Sequence, residues 1–197
     1  MTDELSDADL DLIFREARSF NGWHDKEVSD QQIHAIYELL KMGPTSANQQ
    51  PGRFVWCKSE ESKKRLADCV SDDNRDKVLT APVCVIIGYD IDFHEHLPWL
   101  FPHTDAKSWF EGDEEGRKES AMRNSVLQGA YLMIAARSLG LDCGPMSGFD
   151  AEATTKEFFA DQPQYRADWL CSIGYGDKST IFDRSPRPDF DKFNQLI

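Results

Sequence analysis

Four short stretches of the sequence carry residues that a purely structural chain need not have. Ala17–Trp23 reads ARSFNGW. There Arg18 and Asn21 stand at the end of the opening helix, where an ordinary C-terminal cap with a cation at the negative helix end is the plainer reading. Gly43–Pro51 reads GPTSANQQP; Thr45, Ser46 and Asn48, behind Pro44, offer short hydrogen-bonding groups to a polar ligand edge, and the same residues suit an ordinary turn. Asn74 and Lys77 stand three apart, on one face if the stretch is helical, where a solvated polar face is the plainer reading. Gly144–Asp150 reads GPMSGFD. Its Pro145, Met146 and Ser147 lead to Gly148, which lets something flat or bulky approach the backbone, although a plain turn explains it as well.

Two other groups have the composition of a reactive site without the arrangement. His94, Glu95, His96 and His103 suggest a metal, but Pro98 and Pro102 interrupt the stretch and no second tight ligand pair follows, so no metal is expected. The five cysteines, Cys57, Cys69, Cys84, Cys143 and Cys171, are scattered and form no CxxC pair. They read as reduced core residues, and Cys143 has no evident base to make it a nucleophile. The aromatic set Phe93, Trp99, Phe101, Trp109 and Phe110 could roof a pocket or pack against the body.

These stretches must be held by a framework, and composition bounds what it is. The chain has 197 residues, 22 Lys+Arg against 35 Asp+Glu, a net charge of −13, and 40% hydrophobic residues. That apolar content excludes a disordered chain and allows one core without staples, so a single domain over 1–197 is expected. The acidity disfavours nucleic acid, whose binders need many cations on phosphate, and it disfavours anionic membrane surfaces. The start, Met1–Leu10, is acidic and lacks a basic and apolar leader, and the longest apolar run, Val83–Ile87, is too short to span a bilayer. A cytoplasmic protein is expected.

The elements follow from spacing. Leu10, Ile13, Phe14 and Ala17 lie on one helical stripe behind a Ser6 cap. Ser29 to Gln32 forms a capping box, Val28 and Ile33 a staple, and Ile33, Ile36, Tyr37 and Leu40 continue the helix to Gly43-Pro44. Strands are expected at Arg53–Cys57, Val83–Ile87 and Trp169–Ile173, with Val83–Ile87 buried on both faces. Helices are expected at Ser59–Val70, Glu119–Leu139 and Asp150–Phe159. Asp92–Gly116 reads as an irregular excursion, Gly144–Asp150 as a turn, and the tail after Gly176 as extended around Pro186 and Pro188. Helices on a small sheet without regular βαβ alternation give an α+β class.

Taken in order, ARSFNGW, GPTSANQQPGR, LPWLFPH (Leu97–His103), GPMSGFD and IGYGD (Ile173–Asp177) resemble the flavin-dependent nitroreductase family over nearly the whole chain, most nearly its malonic semialdehyde reductase-like branch. The resemblance implies an FMN-binding sandwich, with a central, mostly antiparallel sheet flanked by helices. It implies a homodimer with two flavins at the subunit interface and an extended C-terminal tail reaching the partner subunit. It also implies hydride transfer from NADH or NADPH through flavin N5 to a small electron-poor acceptor. By that resemblance Arg18, Ser19 and Asn21 hold the phosphate and ribityl chain, and Pro44, Thr45, Ser46 and Asn48 reach the flavin of the other subunit. Asn74 and Lys77 lie along the pyrimidine side; Pro145, Met146, Ser147 and the Gly148 backbone lie at the ring and N5; Arg184, with Arg187 nearby, holds the phosphate. No side chain is implied to be the catalyst itself, Lys77 and the Gly148 N–H acting as electrostatic and orienting groups. Ser147 stands where many relatives carry an acid, and Asn21 where many carry a second base. In a chain of charge −13, the phosphate dianion leads us to expect Arg18, Lys77 and Arg184 to converge on one pocket.

Overall fold

Strand β2, Val83–Asp90, is buried along all eight residues in the computed structural model, which describes residues 4–197. Met1–Asp3, part of the acidic start, lie outside the described residues. β2 is a central strand, and its β-branched run needs apolar partners on both faces. It pairs antiparallel with β1 (Gly52–Cys57) and β4 (Tyr165–Gly174), and β4 pairs antiparallel with β3 (Asp142–Met146), giving the order β1-β2-β4-β3. Every junction of this sheet is antiparallel.

The remaining elements cover the two faces. Helix α1 is Asp7–Leu10, α2 is Asp30–Leu40, α3 is Glu60–Ala67 and α4 is Asp72–Thr80. Helix α5 is Leu97–Leu100, α6 is Glu114–Ser138, α7 is Ala151–Phe158 and α8 is Phe190–Phe193. Val83, Val85 and Ile87 point to one side and pack with Ile36 and Leu40 of α2 and Leu132, Ala135 and Ala136 of α6. Cys84 and Ile86 point to the other and pack with Leu66 of α3, Val78 of α4 and Phe159 beyond α7. The period of two along β2 thus builds both cores.

Local signals place the helix starts. Ser6 caps α1, Ser29 makes the full capping box with Gln32, and Asp150 caps α7 through the Ala153 N–H at 2.9 Å. Val28 is fully buried beside Ile33, whereas Tyr37 is turned outward.

Several expectations need correction. β3 occupies part of the stretch read as a turn; its Gly144 and Pro145 look like breakers, but an edge strand tolerates proline because only one side of its ladder is paired to a full strand. Asp92–Gly116 is folded, not irregular: turns at Phe93–His96, Leu97–Leu100 and Lys107–Phe110 close over a core of Tyr89, Ile91, Phe93, Leu97, Ala106 and Ala121. α6 begins at Glu114, earlier than Glu119, because Asp113 accepts from the Gly116 N–H at 2.9 Å. The opening helix passes into a π turn at Asp11–Arg15; of its apolar stripe, Leu10, Ile13 and Ala17 are partly buried and Phe14 is exposed, as is Leu12 beside it. α3 ends before Cys69 and Val70. The tail is extended through Pro186 and Pro188, but a 3-10 turn at Lys178–Thr180 and the helical turn α8 interrupt it.

Candidate functional site

Residues 19 and 20 lie along the free edge of β3, and residues 22–24 continue beside 175–177, just past β4. Ser19 bridges Cys143, the Phe20 N–H donates to the Cys143 carbonyl at 3.0 Å, and Trp23 bridges Gly176. This fixes Arg18 at one end of the strand. The Arg18 guanidinium donates to the Phe182 carbonyl, and Arg184 donates to the Ala17 carbonyl at 3.2 Å, so the tail crosses directly over the Arg18 segment. Between them opens a cleft of about 360 Å³ lined by Arg18, Ser19, Arg137, Arg184 and Arg187, with Asp183 the one acid among them. Among the described residues Arg187 reaches only the Ser185 and Pro186 carbonyls. Arg137 comes from α6; its Nε is buried without a hydrogen-bond partner among the described residues. A buried cationic N–H left unpaired is costly unless something satisfies it. In a chain of charge −13, four guanidinium groups around one cleft suit a phosphate, which accepts charge-assisted bonds from several arginines at once.

At the other end β3 passes through Pro145 and Met146 into Ser147 and Gly148. Gly148 lies against α4: its carbonyl accepts from the Asn74 carboxamide at 3.0 Å and from the Ser71 N–H and hydroxyl at 3.0 Å each. A Cβ at Gly148 would stand 2.7 Å from the Asn74 Nδ2, so the close approach requires glycine. Asn74, itself buried, accepts from the Lys77 ammonium at 3.1 Å. The Gly148 N–H makes no hydrogen bond among the described residues. Beside this turn lies a second cleft of about 440 Å³, walled by Pro145, Met146 and Ser147 of β3 and its turn, Asp168 and Trp169 of β4, and Val126 of α6. From Cys143 to Met146 the strand covers about 10 Å, so the arginine cleft and this one are two ends of one edge.

Pro44–Asn48 lies elsewhere. Ala47, Asn48 and Gln50 all adopt positive φ (49°, 47° and 41°), a conformation that surrounding contacts must impose. Those contacts come from α6. Asn124 accepts from the Ser46 N–H at 2.8 Å, Ser120 accepts from the buried Gln49 at 3.1 Å, and Gln128 bonds Gln50 and the Gly52 N–H at 2.7 Å each. Pro44, Ser46 and Asn48 are left facing outward. Next to them a cavity of about 400 Å³ is bordered by Asn48, Arg53, His96, Trp99 and Leu100. Arg53 is tied there to the buried Asp90 at 2.6 Å.

The nitroreductase family model matches residues 15–176. A protein of Stenotrophomonas maltophilia strain R551-3, provisionally named an NADH dehydrogenase/NAD(P)H nitroreductase, is 53% identical over 192 residues, covering 98% of this chain and 97% of its own. A Burkholderia lata protein with the same provisional name is 54% identical over 192 residues, covering 98% of each chain. The chain belongs to the nitroreductase family. Its fold matches that of an Exiguobacterium sibiricum nitroreductase homologue solved in complex with FMN, with TM-score 0.85, 21% identity and complete coverage of both chains. It also matches the enone reductase CLA-ER, with TM-score 0.85, 18% identity, and coverage of 98% of this chain and 100% of the other.

Within this nitroreductase-family chain, the sequence-read residues fall into three places. Arg18, Ser19, Arg184 and Arg187 share the arginine cleft; Asn74, Lys77 and Pro145–Gly148 share the far end of β3; Pro44–Asn48 form an outward platform. The convergence expected of Arg18, Lys77 and Arg184 is met by the two arginines only. Lys77 is held by Asn74 at the opposite end of the strand and does not line the arginine cleft. Asn21 also stays out of that cleft, donating to the Thr180 carbonyl at 3.2 Å and so tying down the tail. Arg137, Asn124, Gln128 and Asp168 were not legible as site residues. The one signal for Asn124 and Gln128 is that Ser120, Asn124 and Gln128 recur every fourth residue, a polar stripe on the inward face of α6. Among the described residues no group of three or more His, Cys, Asp or Glu is placed to hold a metal ion, and no helix is long and apolar enough to cross a membrane. Of the aromatic set, Phe93 packs edge-on against Phe110 at 4.9 Å, while Trp99 is 72% exposed at the rim of the Arg53 cavity.

Proposed function

We propose that this protein is an FMN-dependent NAD(P)H oxidoreductase that works by a ping-pong cycle. The observation that carries the reading is the arginine cleft with its unpaired Arg137 Nε, joined by strand β3 to the Asn74–Lys77–Gly148 cluster. FMN, when bound, would supply hydride transfer between a nicotinamide donor and a small electron-poor acceptor. Arg18, Ser19, Arg137, Arg184 and Arg187 would hold the phosphate dianion. Pro145 and Met146 would form the bed of the ring, and the unpaired Gly148 N–H would orient its N5 edge. Lys77, fixed by Asn74, would set a positive charge against the pyrimidine edge and favour the reduced, more anionic ring. The provisional names of the close relatives and the FMN complex of the Exiguobacterium sibiricum homologue support the same reading.

The outward platform Pro44–Asn48 fits a homodimer in which each subunit completes the flavin site of the other. Exposed apolar residues on the opening helix (Leu12, Phe14), on α6 (Met122, Val126, Leu127, Tyr131) and on the tail (Phe190, Phe193, Leu196) offer the surface such a dimer would bury. The tail would then reach the partner subunit. One FMN-binding unit over 1–197, in the cytoplasm, completes the reading.

Reconstitution with FMN followed by anaerobic addition of NADH and of NADPH tests it. Bleaching of the flavin absorbance by either donor is the expected result. A yellow protein that neither donor bleaches would be a flavin-binding protein without reductase activity, and a protein that takes up no FMN would end the flavin reading. A panel holding a malonic semialdehyde-type aldehyde, a nitroaromatic, a quinone and an enone then identifies the acceptor class.

A further inference from the structure

Strand β4 carries an irregularity next to the cleft at the far end of β3. Ile87 pairs with Trp169 and the next residue, Gly88, pairs with Ala167, which leaves Asp168 as the extra residue of a β-bulge. A bulge re-aims the side chain it carries, and here it aims Asp168 into the cleft walled by Pro145, Met146, Ser147, Trp169 and Val126. Within that wall two polar atoms, Asp168 Oδ2 and Trp169 Nε1, are buried without a hydrogen-bond partner among the described residues. Trp169 is locked in place, since its ring lies on Gly129 of α6 where a Cβ would come within 2.1 Å of Cζ2. Two orphaned polar groups in one cavity of about 440 Å³ point to a ligand with a polar edge.

We propose that Asp168, presented by the β4 bulge beside the Trp169 indole N–H, is a direct hydrogen-bonding contact of the flavin ring. The inference rests on the flavin reading above. Burial, with no neighbouring cation to offset it, pushes the Asp168 carboxyl above the usual carboxylate range. The protonated acid can donate to a ring nitrogen or carbonyl; the carboxylate cannot, and it repels an electron-rich ring edge. Tyr89 on β2 interacts with Asp168, and Arg166 on β4 and Glu115 on α6 act on Tyr89 in turn. The Tyr89 hydroxyl is held above its ordinary value, chiefly by burial, and Arg166 is turned to the Pro163 and Tyr165 carbonyls. Of these groups, Asp168 is the carboxyl that burial holds in its neutral form to higher pH than an ordinary carboxylate.

The test compares FMN dissociation constants of the wild type and Asp168→Asn from pH 5 to pH 8.5, by quenching of flavin fluorescence. The phosphate of FMN, with its second pKa of about 6, titrates equally in both proteins, so it cancels in their ratio. The asparagine keeps a donor at every pH. The expected result is a wild-type constant that rises relative to that of the variant, by about tenfold as Asp168 ionises, together with a pH-dependent shift in the bound-flavin absorption spectrum that the variant lacks. Asp168→Ser repeats the comparison if the asparagine variant fails to fold. A ratio that stays flat with pH, with identical spectra, overturns the role of Asp168 while leaving the flavin reading intact. A wild type that binds no FMN overturns both.

Discussion

The carboxamide of Asn74 is bonded to the carbonyl of Gly148 at 3.0 Å, across 74 residues of sequence, and its oxygen holds the Lys77 ammonium at 3.1 Å. One amide thus fixes both the turn after β3 and the cation beside it. Replacing Asn74 with alanine removes one of the three donors on the Gly148 carbonyl and frees Lys77. The expected cost is about 1–2 kcal/mol of stability, read as a fall of roughly 2–8 °C in Tm for a chain of this size. Lys77→Ala should leave the fold almost unchanged and move the midpoint potential of bound FMN to a more negative value, because a positive charge that favours the reduced ring is lost. Equilibrium dye reduction measures it; an unchanged potential would remove Lys77 from the site.

Arg137 and Arg184 approach the same cleft from α6 and from the tail. If a phosphate sits there, Arg137→Ala and Arg184→Ala should each weaken FMN binding by about tenfold or more, the size expected when a charge-assisted bond is lost. Riboflavin, which has the ring and ribityl chain without the phosphate, should bind the variants and the wild type alike. Parallel fluorescence titrations with the two flavins make the comparison. Equal losses for both ligands would place the arginines at some other part of the molecule bound.

How much of this was legible in the sequence depended on how local the cause was. The capping box Ser29–Gln32 and the continuous run Val83–Ile87 are decided by neighbours along the chain, and both elements form where their patterns place them. β3 was invisible because Gly144 and Pro145 carry turn chemistry, and only pairing with β4, together with the bridge from Ser19, makes them a strand. The same long-range pairing brings Arg18 to one end of β3 and Gly148 to the other. Arg137 escaped notice because it lies in the last turn of a helix, where a cation is ordinary; its place in the arginine cleft exists only once the tail brings Arg184 and Arg187 alongside it. Asp168 depended on a strand bulge, which no hydrophobic period announces.

The cysteines give a prediction independent of any ligand. Cys57 and Cys84 are buried and burial pushes each thiol up to about 12; Cys171 is raised as well, by its hydrogen bond with Cys143 and by burial, and Cys143 is buried beside it. Cys69, just past the end of α3, is the partly exposed one. Because the thiolate is the reactive form, a disulfide reagent at pH 8 should titrate Cys69 in the native protein and the other four only after denaturation. Cys69→Ser should abolish the native reaction. Rapid release of two or more equivalents from the folded protein would contradict this burial pattern.

Asp168 also makes a prediction about the unliganded protein. Its carboxyl is held above the usual range by burial, so the folded state binds its proton more tightly than the unfolded chain does. Below the unfolded value of about 3.9 both states are protonated and the residue costs nothing on this account. As pH rises through the unfolded and then the folded value, the unfolded chain releases the proton first, and stability falls across that window. This is opposite to a salt-bridged carboxylate such as Asp30, which the bond from Lys58 holds below its ordinary value and which therefore favours folding as pH rises. Asp168→Asn removes the titration and keeps the shape. The apo variant should have a higher Tm than wild type at pH 8, and the gap should close toward pH 4. Scanning calorimetry of both proteins across that range measures it, and a gap that is constant with pH, or that widens toward acid, would mean that Asp168 is already ionised and solvated in the folded chain.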